Sequence, residues 1–111
     1  TGHVVLILDN GTTAMTGMQE HPGTGRTLNH EPTGRVDFEN LCKALGIANV
    51  RTIDPLSDRE GLKTAIRTAL AGSELSVIIA RRTCLLAAGK IRQYEIAAQR
   101  STACDAAPLA P

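Results

Sequence analysis

Aliphatic runs and helical periodicities alternate along this chain. Val4-Val5-Leu6-Ile7-Leu8 is continuously apolar and β-branched, which is the pattern of a strand buried on both faces in a parallel sheet covered by helices. A first strand is therefore expected from Gly2 to Leu8. A long polar stretch follows from Asp9 to about Arg35, and apolar residues then return at helical spacing. Phe38, Leu41, Cys42 and Leu45 fall at i, i+3, i+4 and i+7 of a segment from Val36 to Gly46, with Asp37 placed to cap its start and Gly46 to end it in the left-handed conformation.

Asn49 to Asp54 reads as a short second strand, stopped by Pro55. Ser57-Asp58-Arg59-Glu60 has capping-box spacing, and it leads into a helix with Leu62, Ala65, Ile66, Ala69 and Leu70 on one face and Lys63, Thr64 and Arg67 on the wet one. Gly72 is expected to close it. Leu75 to Ala80 is the third strand, and a last helix is expected from Ala87 to about Gln99, carrying Ile91, Tyr94 and Ile96 and weakened by Gly89. The Ala- and Pro-rich end has nothing to fold around, so residues 1–98 are expected to form the folded unit and residues 99–111 a disordered tail.

Strand-helix-strand units imply right-handed parallel crossovers. All three strands should then be parallel, with the first beside the third or the second and with Asp9, Asp54 and Arg81 on one common edge. Val5, Ile7, Ile53, Ile78, Leu41, Leu45, Ile66 and Leu70 are expected to be buried in shared layers, and one flank of the sheet should remain an exposed apolar edge.

Composition narrows the function classes. A chain of 111 residues has room for one small domain, and with one Phe, one Tyr and no Trp its core must be aliphatic, which argues against stacking on nucleobases. A formal net charge of +1 gives no global field for nucleic acid or an anionic membrane. Cys42, Cys84 and Cys104 are widely spaced, with no Cys-x-x-Cys pair and no zinc-like cluster, so a reducing cytoplasm is the expected compartment. The opening apolar run is too short for a membrane span and has no basic leader. A strand that begins almost at Thr1 suggests a piece of a longer protein.

The stretch that carries candidate chemistry is Asp9-Asn10-Gly11-Thr12-Thr13-Ala14-Met15-Thr16-Gly17-Met18-Gln19. It leaves the first strand at its carboxyl end, where ligands bind in sheets of this kind. Its Asp, Asn and Thr oxygens are the hard donors that Mg²⁺ accepts beside a phosphate, and its glycines let a backbone approach closely. Asp9-Asn10-Gly11 taken alone reads more simply as a strand-ending turn. The length of the varied loop behind it favours a functional role.

Asp9-Asn10-x-Thr12-Thr13-Ala14-Met15-Thr16-Gly17-x-Gln19, followed by His21-Pro22-Gly23-Thr24-Gly25, resembles the thiamine-diphosphate-binding domain of the indolepyruvate ferredoxin oxidoreductase alpha subunits, within the 2-oxoacid:ferredoxin oxidoreductases. Milder similarity continues through Ile53-Asp54-Pro55 and Val77 to Cys84, and fades beyond Tyr94. The resemblance implies the C-terminal portion of a three-layer α/β, parallel-sheet thiamine-diphosphate-binding fold. It also implies an enzyme that decarboxylates a 2-oxoacid such as indolepyruvate oxidatively to an acyl-CoA, with coenzyme A and ferredoxin as partners, beside a preceding part of the parent chain and a beta subunit. Neither nucleic acid nor a membrane is implied.

Carried over position by position, the Asn10 side chain and the Thr12 carbonyl would ligate Mg²⁺, and Asp9 would orient the turn. Thr13, Thr16 and Gly17 would donate to phosphate oxygens or to the loop itself. Met15 would touch the cofactor rings, or else Met15 and Met18 fill gaps. Pro22-Gly23-Thr24-Gly25 reads either as an anion-binding nest or as a rigid turn. His21 and His30 are candidate acid-base groups or solvated loop residues. Arg81-Arg82 reads as a carboxylate site or a solvated pair, and Cys84 as a small buried residue.

The chain departs from the family in three ways. It has no Gly-Asp-Gly, Thr83 breaks an Arg-Arg-Pro-Cys pattern, and no Cys-rich cluster segment occurs. The resemblance therefore implies only the second half of the cofactor signature and no activity of this piece alone. A non-oxidative 2-oxoacid decarboxylase and a non-catalytic fragment remain as alternatives.

Overall fold

The computed structural model describes residues 2–13 and 17–105. Six elements follow one another: β1 (His3–Asp9), α1 (Phe38–Ala44), β2 (Asn49–Ile53), α2 (Arg59–Ala71), β3 (Leu75–Arg81) and α3 (Ala88–Asp105). The strands form one parallel sheet in the order β1-β3-β2. The register pairs Ile7 with Ile79, Asp9 with Arg81 and Val50 with Val77.

β3 takes the centre because it is apolar on both faces, and its residues from Ser76 to Ala80 are all buried. The chain steps from β1 across β3 to β2, then back to β3. Two crossovers of the same hand that step in opposite directions must put their helices on opposite faces. The cores show that arrangement. Cys42 of α1 packs with Val77 and Ile79, joined by Ile7, Phe38, Ile47 and Val50, while Ala65 of α2 packs with Ile53 and Ile78, joined by Val4, Leu62 and Ile66. The alternation of side chains along β3 thus feeds two layers.

Local chemistry sets the helix ends. Asp37 caps α1, its Oδ1 accepting the Asn40 N–H at 3.1 Å. Gly46, just beyond the helix, has φ +86°, a conformation that a side chain resists. α2 is capped by Asp58 rather than by Ser57: the Asp54 carboxylate takes the N–H groups of Leu56 and Ser57 at 2.9 and 3.2 Å, which holds Ser57 in the preceding turn. Asp58 Oδ1 then accepts from Gly61 N at 3.1 Å. Gly72 does close α2, but with an extended backbone rather than a left-handed one. Helix α3 continues through residues 101–105, past the expected stop near Gln99, whereas the rest of the expected tail lies outside the described residues.

Burial corrects part of the expected core. Ile53 and Ile78 are buried, and Ile7 and Ile66 pack against the buried clusters. Val5, Leu41, Leu45 and Leu70 are exposed. For α1 the contact face runs through Phe38 and Cys42, at i and i+4, and leaves Leu41 and Leu45 on the neighbouring stripe. For β1 the cause is its rim position, where a strand patterned for full burial has a neighbour on one side only. No described helix is long and apolar enough to cross a membrane.

The contrast between centre and rim is measurable by urea unfolding of this chain. Ile79→Ala, at a site with 0% exposure, should cost about 2–5 kcal/mol. Leu8→Ala, 75% exposed, should stay within about 0.5 kcal/mol. Similar losses at the two positions would contradict the layer arrangement.

Candidate functional site

The carboxyl ends of the strands are joined by ion pairs that bring distant segments together. Asp9 ends β1, and its Oδ2 accepts from Arg81 Nε at 2.8 Å while its Oδ1 accepts the Gly11 N–H at 3.3 Å. Arg81 Nη1 donates to Glu39 Oε1 at 2.7 Å, and the Thr52 hydroxyl donates to the same oxygen at 2.6 Å. Hydrogen bonds from Thr52 and then Arg81 hold the Glu39 carboxyl down at about 2 against its burial. Arg82 pairs with Asp54 at 3.0 Å. Asp9, Asp54 and Arg81 thus do share one edge, and both arginines are engaged by carboxylates of the chain itself.

Past Asp9 the backbone turns sharply. The Asn10 carbonyl accepts from Cys84 N at 2.9 Å, and Gly11 adopts φ +78°. Thr12 is buried, and its hydroxyl donates to the Gln19 carbonyl at 3.0 Å. Thr13 and Gln19 exchange backbone hydrogen bonds of 2.9 and 3.2 Å, which closes the loop between them. Asn10, Thr12 and Thr13 line one cleft of about 310 Å³ with Asp9, Ile7, Leu8, His21 and Phe38. Gly17, at φ +104°, instead lines a second cavity, of about 270 Å³, between the loop and α3, which Thr12 also borders. Met15 and Thr16 lie outside the described residues. Of the predicted set, Asp9, Asn10, Thr12 and Thr13 are therefore gathered around one cleft.

Beside the Asp9 carboxylate, engaged by Arg81 and Gly11 N, and the His21 ring, engaged by Gly23 N, the donors there are an amide, hydroxyls and backbone oxygens. Among the described residues no group of three or more His, Cys, Asp or Glu side chains could hold a metal, so any ion at this edge would draw on the hard oxygens of the turn. In Pro22-Gly23-Thr24-Gly25 two of the N–H groups that an anion nest would use are engaged internally, Gly23 N donating to His21 Nδ1 at 3.1 Å and Thr24 N to the His21 carbonyl at 3.0 Å, which favours the rigid turn. Any Cβ at Gly23 would press on the Phe38 ring. Cys84 is half-buried and free.

A second set of residues was not legible as a group in the sequence, although His30 alone was a candidate. The Glu20 side chain is only 4% exposed; both of its carboxylate oxygens accept from Arg26 Nε, at 2.9 and 3.0 Å, and Oε1 also lies 3.1 Å from His30 Nδ1. Burial raises the Glu20 pKa, but hydrogen bonds from Arg26, Thr24 and His30 outweigh it and hold the carboxyl below its usual value. His30 stacks on Tyr94 of α3 with centroids 4.5 Å apart, and the Arg26 guanidinium lies 5.6 Å from the same ring. Arg26 Nη2 also donates to the Gly11 carbonyl at 3.0 Å. Charged residues scattered through a glycine-rich loop carry no periodic signal, and the stacking partner lies on a distant helix.

Residues 2–80 match the model of the C-terminal TPP-binding domain of thiamine pyrophosphate enzymes. The chain belongs to this family. Its relatives include the indolepyruvate oxidoreductase subunit IorA of Methanothermobacter marburgensis, 39% identical over 89 residues, which are 80% of this chain and 14% of that protein. The IorA subunit of Pyrococcus abyssi is 37% identical over 109 residues, 91% of this chain and 16% of its own length. That of Archaeoglobus fulgidus is 36% identical over 92 residues, 83% of this chain and 15% of its length. The chain thus spans about a seventh of these relatives. No solved structure matches it. The three-stranded parallel sheet flanked by helices is the α/β architecture of the C-terminal TPP-binding domain, and the site turn falls inside the matched span.

The Glu39 contacts predict a pH signature. Its folded pKa, about 2, lies below the ordinary carboxyl value of 4.5, so its contribution to stability is complete above pH 4.5 and is lost as pH falls through the folded pKa. The stability gap between this chain and its Glu39→Gln variant, read from urea midpoints, should be widest near pH 6 and close towards pH 2. A gap independent of pH would refute the assignment.

Proposed function

We propose that this chain is the second half of the cofactor domain of a 2-oxoacid:ferredoxin oxidoreductase and that it holds the diphosphate of thiamine diphosphate through Mg²⁺. The observation that carries this reading is the convergence of Asn10, Thr12 and Thr13 on one cleft beyond the carboxyl end of β1, inside the span that matches the TPP-binding family. A side-chain oxygen and the carbonyl two residues later can reach one octahedral ion. The Asn10 amide oxygen is assigned as one ligand. At Thr12 the hydroxyl is committed to Gln19, so the backbone carbonyl is assigned as the other. The Thr13 hydroxyl serves the phosphate oxygens, and the resemblance assigns Thr16 and Gly17 to the same oxygens or to the loop's own backbone and Met15 to the cofactor rings. Asp9 orients the turn through its bond to Gly11 N.

Bound thiamine diphosphate supplies the carbon nucleophile that makes decarboxylation of a 2-oxoacid feasible. What this chain adds is anchoring of the charged end and rigidity of the turn that bears the ligands. Relatives named as indolepyruvate oxidoreductase subunits support an arylpyruvate as substrate and an acyl-CoA as product, with ferredoxin as electron acceptor. The remaining parts are assigned to a preceding portion of the parent chain and to a beta subunit, working in the cytoplasm.

Two measurements on the full-length protein test this. Asn10→Ala should weaken Mg²⁺-dependent cofactor binding at least about tenfold, since even residues behind a ligand are worth 10–100-fold; unchanged affinity in calorimetry would remove the metal role. With indolepyruvate as substrate, viologen reduction should depend on coenzyme A. Aldehyde release without dye reduction would instead identify a non-oxidative decarboxylase.

A further inference from the structure

We propose that Arg26 is a positioning residue for the metal turn, acting with Glu20, His30 and Tyr94 as a clamp that fixes the Gly11–Thr12 peptide between the two ligands assigned to Asn10 and Thr12. The inference rests on that ligand assignment and extends it to residues outside the signature.

The segment that links those two ligands contains two peptides, Asn10–Gly11 and Gly11–Thr12. Its flexibility is concentrated at Gly11, which has φ +78° and, without a Cβ, offers little resistance to rotation of its peptide planes. The preceding peptide is held by Asp9 Oδ1 through the Gly11 N–H, at 3.3 Å. The following one is held at its carbonyl by Arg26 Nη2, at 3.0 Å, from fifteen positions away. If that bond is lost, the Gly11 carbonyl can swing, and the orientation of Thr12 changes with it.

The remaining contacts hold the guanidinium in place. Glu20 binds Arg26 Nε with both oxygens at 2.9 and 3.0 Å, and the side chains are only 10% and 4% exposed. His30 Nδ1 lies 3.1 Å from Glu20 Oε1, an oxygen that also accepts from Arg26, and the His30 ring stacks on Tyr94 with an interplanar angle of 5°. Tyr94 also lies beside the Arg26 guanidinium, where a cation is attracted to the ring. Helix α3 is in this way connected to the turn through one arginine. A lysine at position 26 would keep the charge, but it has no planar fork with which to serve Glu20 and Gly11 together.

The test is a Mg²⁺ titration of the full-length apoprotein with saturating thiamine diphosphate, followed by calorimetry and by the circular dichroism of the bound cofactor. Arg26→Lys should raise the half-saturating Mg²⁺ about 10–100-fold, the range found when a residue that orients a metal ligand is removed. Millimolar guanidinium should restore part of the affinity to Arg26→Ala. Ile66→Ala, which loosens the α2 core on the other face of the sheet, should lower the melting temperature and leave the Mg²⁺ midpoint unchanged. The inference is overturned if Arg26→Lys binds Mg²⁺ normally while Asn10→Ala does not, or if Ile66→Ala shifts the midpoint as far as Arg26→Lys. A normal midpoint in Asn10→Ala would overturn the ligand assignment itself, and the clamp's role with it.

Discussion

The carboxylate of Asp9 is the constraint on which the candidate site depends. One oxygen receives Arg81 from the neighbouring strand, and the other receives the N–H of Gly11. The side chain is 9% exposed, so the ion must find its solvation within the protein. The Arg81 guanidinium and a backbone N–H provide it. Because Asp9 and Arg81 are also register partners at the end of the β1–β3 pair, the last rung of the sheet and the first bend of the site loop are held by one group.

From that point outward the loop is organised by polar contacts rather than by a hydrophobic core. Thr12 is tied to Gln19, Thr24 to His21, and Arg26 to both Glu20 and Gly11. Buried polar networks of this kind specify one geometry when every member is satisfied and are costly when one member is lost. The apolar layers supply a stable platform under the strand ends; the polar loop supplies the shape of the cleft. A site for a charged cofactor needs both, since an aliphatic core alone offers no oxygen donors at its surface.

The sheet also leaves its most hydrophobic strand at the rim. Val5, Leu6 and Leu8 are all exposed there, because the chain crosses from β1 to β2 and returns to fill the middle with β3. A strand patterned for two-sided burial that has one neighbour presents an apolar edge and unpaired backbone groups, the combination that favours pairing with a further strand.

The sequence by itself determined the element types, because aliphatic runs and i, i+3, i+4 spacing report directly on which residues leave water. It also placed the common edge of Asp9, Asp54 and Arg81 and the resemblance carried by Asp9 to Gly25, since contiguous residue types express both. It did not determine which predicted core residues are covered: Leu41, Leu45, Val5 and Leu70 fit the periodicity yet stay exposed, as burial depends on what lies opposite. The cap moved from Ser57 to Asp58 because Asp54 captures Ser57 first, a competition between two turns that spacing cannot rank. Only tertiary structure brought Tyr94 to His30 and Arg26 to Gly11, because those contacts depend on how α3 lies against the loop and on how the loop folds on itself. No local pattern along the chain encodes that placement.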